Sequence, residues 1–217
     1  MSKEGEVIMR LSEKTIELNF CAQSSAFLNQ RLIWFGLTQK QEAKAGFDAC
    51  TRVNGRLMIF QFKASNMNIR GGRRFNAPHN QMQNLINRVR HFQRSVFYVF
   101  PLIGTTYELE YNNGDILSNT WLLDVATIPP LPLPTTRRGT PRSKGIHYID
   151  VIPPKAIIHS EPVEVNLINA AEFLSQGAPG VDGIQNLFVR EDHDFEEYHL
   201  IFRKNTCGAI LLPRFGW

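Results

Sequence analysis

The chain has 217 residues, enough for one compact domain with a sizeable core. Its 43% hydrophobic, 11% aromatic and 20% charged residues lie in the range of soluble globular proteins and exclude a disordered chain. A net charge of +4 and a pI near 9.1 are compatible with a polyanionic partner without requiring one.

No apolar run reaches the roughly 18 residues of a membrane span, and the first residues lack the apolar stretch of a secretory signal. Cys21, Cys50 and Cys207 form no Cys-x-x-Cys pair. The expectation is a cytoplasmic protein with reduced thiols and no membrane partner.

In chain order, Ile16, Phe20, Phe27, Leu28, Leu32, Ile33 and Phe35 recur roughly at helical spacing behind Ser12, a suitable N-cap. One or two helices ending at Gly36 are expected. Two short runs, Gly46 to Val53 and Arg56 to Ala64, flank Asn54-Gly55, the strongest short-range signal of a two-residue hairpin turn. A glycine-arginine loop follows at residues 69–75, then a helix from about Pro78 to Phe92 carrying the stripe Met82, Leu85, Ile86, Val89 and Phe92. Ser95 to Ile103 reads as a buried strand, with Trp121 to Ala126 and His147 to Ile152 as further strands. Residues 129–145 hold too many prolines for a helix or a central strand and form a long loop. Asn166 to Gln176 is expected as a helix capped by Asn166 and stopped by Gly177, and Tyr198 to Arg203 with Ala209 to Leu212 as a closing strand pair.

The hairpin carries the chemistry. A two-residue turn makes Val53 face Arg56, and the same register puts Asp48 opposite Gln61, with Lys63 on the same side because strand side chains alternate. Phe47 and Ala49 with Met58, Phe60 and Phe62 are expected on the opposite, core-forming face. A carboxylate, an amide oxygen and an ammonium brought together suit Mg²⁺ (or Mn²⁺), a hard cation that takes oxygen ligands and keeps waters. Asp48 would be the anionic ligand. Gln61 would serve as a neutral ligand or hold a metal-bound water, and the Phe62 carbonyl at the strand edge is a further candidate. Lys63 would orient the attacking water or stabilise the charge growing on a phosphorane.

Gly46-Phe47-Asp48 followed by Gln61-Phe62-Lys63 resembles the PD-(D/E)xK nuclease signature in its Mrr-like restriction endonuclease variant, in which Gln replaces the second acid. The resemblance spans roughly residues 12–103. It implies an α/β fold with a mixed central sheet flanked by helices, and Mg²⁺- or Mn²⁺-dependent hydrolysis of DNA. It also implies a part in defence against foreign DNA, alone, as a homo-oligomer or within a larger defence complex. A glutamate on the first core helix reaches the metal in that family, and Glu17 is the matching position, with Glu42 as second choice. On this reading residues 1–128 form the nuclease-like core, 129–145 a Pro/Arg-rich loop, and 146–217 C-terminal strands and a helix packed on the same domain.

Arg70, Arg73 and Arg74, just after the lysine strand, are candidates for gripping a phosphodiester backbone. His79 and Gln83, one turn apart, could turn a polar face toward the site. The acidic stretch around His193 and His199 fits no usual ligand spacing and reads as charged surface. A non-catalytic nucleic-acid-binding or assembly subunit of the same fold is the alternative, because losing the second carboxylate lowers metal affinity. A protein–protein adaptor of unrelated α/β fold would be favoured if strand pairing around Asn54-Gly55 were absent.

Overall fold

A computed structural model describes residues 8–38, 41–42, 45–53, 56–89, 94–135, 145–159 and 162–176. Helix α1 (Glu13–Phe27) starts where Ser12 Oγ accepts the Thr15 N–H at 3.0 Å, satisfying a donor that the first turn leaves open. Ile16 and Phe20, one turn apart, give it a buried edge. The helix does not continue to Gly36. Asn29 turns the backbone at φ 48°, and the chain runs extended into β1 (Phe35–Gly36). Trp34, expected within a helix, instead packs its ring against Phe20 and Phe60 and donates its indole N–H to Ser25 Oγ.

Strands β2 (Ala49–Val53) and β3 (Arg56–Phe62) pair antiparallel from Val53↔Arg56 to Ala49↔Phe60, the expected register; the turn residues Asn54 and Gly55 lie outside the described residues. The two faces of β3 serve two cores. Met58, Phe60 and Phe62 join Ala49, Ile16 and Phe20 under α1, while Leu57 and Ile59 join Cys50 on the other side. Phe47 belongs to this second core and not beside Ala49, because regular pairing begins only at Ala49 and Gly46 bends the chain ahead of it at φ +81°.

The glycine-arginine segment is a second hairpin and not a loop. Strand β4 (Met67–Ile69) pairs with β5 (Gly72–Pro78), and Gly71 at φ +80° supplies the left-handed turn position that a side chain would strain. β5 continues to Pro78, so helix α2 (His79–Val89) opens one residue later than expected, buries Met82, Leu85, Ile86 and Val89, and leads to β6 (Val96–Pro101). Because β6 lies parallel to β3, this crossover makes the sheet mixed.

Beyond β6 come helix α3 (Thr106–Tyr111) and strands β7 (Thr120–Asp124), β8 (Ile146–Ile152), β9 (Lys155–Ile158), β10 (Val163–Asn166) and β11 (Ile168–Asn169). The result is an α/β fold with a six-stranded sheet ordered β1-β2-β3-β6-β7-β11 and a five-stranded antiparallel sheet ordered β10-β9-β8-β5-β4. One core lies between the two sheets and α2, where Ile59 and Tyr98 meet Phe75, Ile149 and Val151. Strands β8 to β10 thus complete the sheet begun by β4 and β5. Asn166, expected to cap the last helix, instead ends β10. The cap is Asn169, whose Oδ1 accepts from the N–H groups of Ala171 and Glu172 ahead of α4 (Ala170–Ser175).

In the proline-rich stretch, Leu131 is buried and its carbonyl accepts from Gln83 Nε2 on α2 at 2.9 Å. Residues 136–144, the Gly177 stop, the expected strands beyond Tyr198, and Cys207, His193 and His199 lie outside the described residues. Among the described residues no helix is long and apolar enough to cross a membrane.

Candidate metal centre

Asp48 stands one residue before β2, just beyond the regular pairing, and its N–H donates at 3.0 Å to the carbonyl of Phe60, the residue paired with Ala49. One carboxylate oxygen, Oδ2, accepts the Phe62 N–H at 2.7 Å and Gln61 Nε2 at 2.8 Å. Gln61 Nε2 also donates to the Phe62 carbonyl at 3.2 Å. The amide NH₂ thus bridges a carboxylate and a backbone carbonyl, two hard oxygen acceptors. Its own oxygen, Oε1, accepts from Gln81 Nε2 on α2 at 2.9 Å.

Lys63 follows directly, its N–H bonded to the Val99 carbonyl at 3.1 Å, which extends the β3–β6 ladder by one step. The residue is 6% exposed, and its Nζ lies 3.8 Å from Glu13 Oε1 at the start of α1. Burial pushes the Asp48 carboxyl up to about 6. The Phe62 N–H, the Lys63 charge and the Gln61 amide oppose that rise, and the Glu13 charge adds to it. Asp48 keeps partial exposure, whereas Gln61 is buried.

Glu17 is buried on α1, beside Gly36, and its Oε1 accepts from Lys14 Nζ at 2.7 Å. That bond raises the Lys14 pKa, and the charges of Glu42 and Asp48 act in the same direction. Glu17 and Glu42 therefore meet Asp48 electrostatically through Lys14. Among the described residues no three His, Cys, Asp or Glu side chains are placed to share a metal. The oxygen set at Asp48 is mixed: one carboxylate, one amide and one backbone carbonyl.

That set fits a hydrated divalent cation, since Mg²⁺ is commonly held by one or two carboxylates and retains waters. Beside Gln61, two buried polar atoms have no hydrogen-bond partner among the described residues. Gln81 Oε1 is one. The other is the hydroxyl of Tyr98, whose residue faces Gln61 across β3 and β6 and whose pKa is raised by burial and by the Asp48 charge. Buried polar atoms of this kind call for water or an ion.

The basic residues separate. Arg73 is 7% exposed, and its guanidinium donates to the Leu102 carbonyl, to Ser65 Oγ at 2.7 Å and to Glu108. A side chain engaged in this way ties β5 to the segment after β6, so its expected place on a nucleic-acid backbone is replaced by a structural one. Arg74 makes a two-point contact with Asp150, which His159 also engages, and its guanidinium lies 5.9 Å from the Tyr148 ring centroid. Arg70 stands exposed at the β4–β5 turn. Arg73→Ala is expected to lower the unfolding free energy by about 2–4 kcal/mol, because Glu108 loses its buried cation, whereas Arg70→Ala should stay within about 0.5 kcal/mol. Urea denaturation of both variants checks this.

His79 does not turn to the site: its Nδ1 lies 2.9 Å from His147 Nε2. Gln83 is engaged by Leu131. The helix residue that reaches the site is Gln81, which sequence reasoning passed over, as it did Glu13, Lys14 and Tyr98. Gln81 lies off the apolar stripe, between His79 and Gln83, a position that could have marked it. No family model, no curated protein and no solved structure matches the chain.

Proposed function

We propose that the protein is a metal-dependent phosphodiesterase acting on DNA, with its reaction centre at Asp48, Gln61, the Phe62 carbonyl and Lys63. The observation that carries this reading is the convergence of those oxygens on one amide NH₂, with Gln61 Nε2 2.8 Å from Asp48 Oδ2 and 3.2 Å from the Phe62 carbonyl. A donor group seated between two hard oxygens stands where a cation would be held. The element order supports it too: helix, three antiparallel strands, crossover helix and a strand parallel to the third are similar to the core of the PD-(D/E)xK superfamily, with the β4–β5 hairpin inserted between the third strand and the helix.

When bound, a divalent cation would lower the pKa of a water and offset charge growing on the phosphoryl oxygens. Asp48 would hold the cation from one side. Gln61 and the Phe62 carbonyl would complete the protein's share of ligands. Lys63, buried beside them, would orient the attacking water and stabilise the pentavalent transition state, where a fixed cation in a partly dry site acts strongly. Glu13 would keep the Lys63 ammonium in place, and Glu17 would act at one remove, through Lys14. Arg70, at the exposed turn, would contact the phosphate backbone.

The second reading is a nuclease-fold protein without cleavage, serving as a nucleic-acid-binding or assembly subunit. One observation favours it: the Lys63 ammonium is buried and faces Glu13. Incubating supercoiled, linear and single-stranded DNA, and RNA, with Mg²⁺ or Mn²⁺ decides between them. Cleavage by the wild type that is lost in Asp48→Ala and in Lys63→Ala supports the enzyme. Equal cleavage by all three proteins would reject this site, and Mg²⁺-independent DNA binding with no cleavage would favour the subunit.

A further inference from the structure

We infer that Gln81 is a positioning residue that lets the Gln61 amide reverse its polarity when a divalent cation enters, an inference that rests on the metal-centre reading above. Gln81, Gln61 and the Asp48–Phe62 oxygen pair form a directional chain: Gln81 Nε2 donates to Gln61 Oε1 at 2.9 Å, and Gln61 Nε2 donates to Asp48 Oδ2 and the Phe62 carbonyl. Without a cation this is the favourable direction. A third oxygen turned toward the carboxylate and the carbonyl would meet only like partial charge.

A cation among those oxygens inverts the preference, because an NH₂ is repelled where a carbonyl oxygen binds. Rotating Gln61 about its last side-chain bond would bring Oε1 to the cation side and point Nε2 at α2. The neighbour there must then accept instead of donate. Gln81 can do both, since a primary amide carries two donors and an acceptor with two lone pairs. Its Oε1 is buried and holds no partner. Turning that oxygen to Gln61 Nε2 pairs it, while the Gln81 NH₂ takes the place the oxygen leaves. The hydrogen bond between the two glutamines survives the reversal, so the direction of the chain is decided at its cation end.

The backbone holds Gln81 for this exchange. Gly46, at φ +81°, passes so close to α2 that a Cβ there would lie 3.5 Å from the Gln81 carbonyl and 3.4 Å from Leu85. The segment leading to Asp48 and the helix turn carrying Gln81 are therefore in direct contact.

Titrating the full-length protein with Mg²⁺ while following side-chain amide resonances by ¹⁵N NMR tests the inference, with Gln61→Glu and Gln81→Glu providing assignments. The Gln61 and Gln81 amide signals are expected to shift together, with one midpoint. Gln81→Met, which can neither donate nor accept an amide hydrogen bond, is expected to weaken Mg²⁺ binding by about 10–100-fold, as loss of an outer partner of a ligand does. Gln81→Glu, which can still accept from Gln61 Nε2, is expected to stay within about tenfold of wild type. A Gln81 amide that stays still while the Phe62 backbone signal moves, or a Gln81→Met affinity equal to wild type, would overturn the relay and leave the metal centre standing. If no resonance near Asp48 responds to Mg²⁺, both fall.

Discussion

Asp48→Asn is expected to abolish Mg²⁺ binding, to cut DNA cleavage by about a thousandfold or more, and to make the folded protein more stable above pH 6. The first two losses follow from removing the one formal negative charge in the oxygen set; several kcal/mol of transition-state stabilisation corresponds to a factor of that size. The gain in stability follows from burial. The folded-state pKa of Asp48 is pushed up to about 6, above the value near 3.9 of an unfolded chain. The folded protein thus holds this proton more tightly than the unfolded one. The stability that the protonated carboxyl supplies is complete below about pH 4 and is lost as pH rises through 6. By pH 7.5 the charged form costs up to roughly 3 kcal/mol, which an uncharged amide avoids. Denaturant unfolding of wild type and Asp48→Asn at pH 5 and pH 7.5 measures the difference, which should grow with pH. Cation affinity of the wild type should run the other way, falling about tenfold per pH unit below 6 as the carboxylate takes up its proton. A group that weakens its own fold at neutral pH is better explained by what it binds than by what it packs against.

Lys63→Met is the second large effect, with cleavage expected to fall by about 10²–10³ while Mg²⁺ still binds at neutral pH. The methionine fills nearly the same volume just after β3, so the ladder bond from the residue 63 N–H to the Val99 carbonyl is retained. What disappears is the ammonium. Its charge now holds the Asp48 pKa down, so its removal should carry that pKa further above 6 and move the onset of Mg²⁺ binding to higher pH. Calorimetric Mg²⁺ titrations across pH 5.5–8, paired with single-turnover cleavage, separate the two effects. Cleavage that returns fully once the pH is raised would assign Lys63 to tuning Asp48 and not to the transition state.

The hairpin was the most legible part of the chain, because a two-residue turn fixes the later pairs by arithmetic, and the expected register holds from Val53↔Arg56 to Ala49↔Phe60. Helix α1 was legible at its start, where Ser12 supplies a cap, and not at its end. The spacing of Leu32, Ile33 and Phe35 imitates a helix, but tertiary packing of Trp34 on Phe20 and Phe60 draws that segment out as β1. The Arg70-Gly71 turn was missed because its flanking strands are short and polar, and β5 owes its length to pairing with β8, far along the chain. Asn166 and Asn169 are equally good caps by type. The pairing of Ile168 and Asn169 with β7 selects the second. Gln81 was passed over for a different reason: it lies off the apolar stripe of α2, and only its place between His79 and Gln83 hinted that it turns toward Gln61.

The five-stranded sheet also limits how the chain can be trimmed. Residues 1–128 look self-sufficient in sequence, yet they hold β5 without β8, to which it is bonded from Arg73↔Val151 to Pro78↔Ile146. A fragment cut there would carry a seven-residue strand with one bare edge, a row of unpaired backbone groups that recruits other chains into aggregates. Recombinant work on the Asp48 site therefore needs the chain at least through β10.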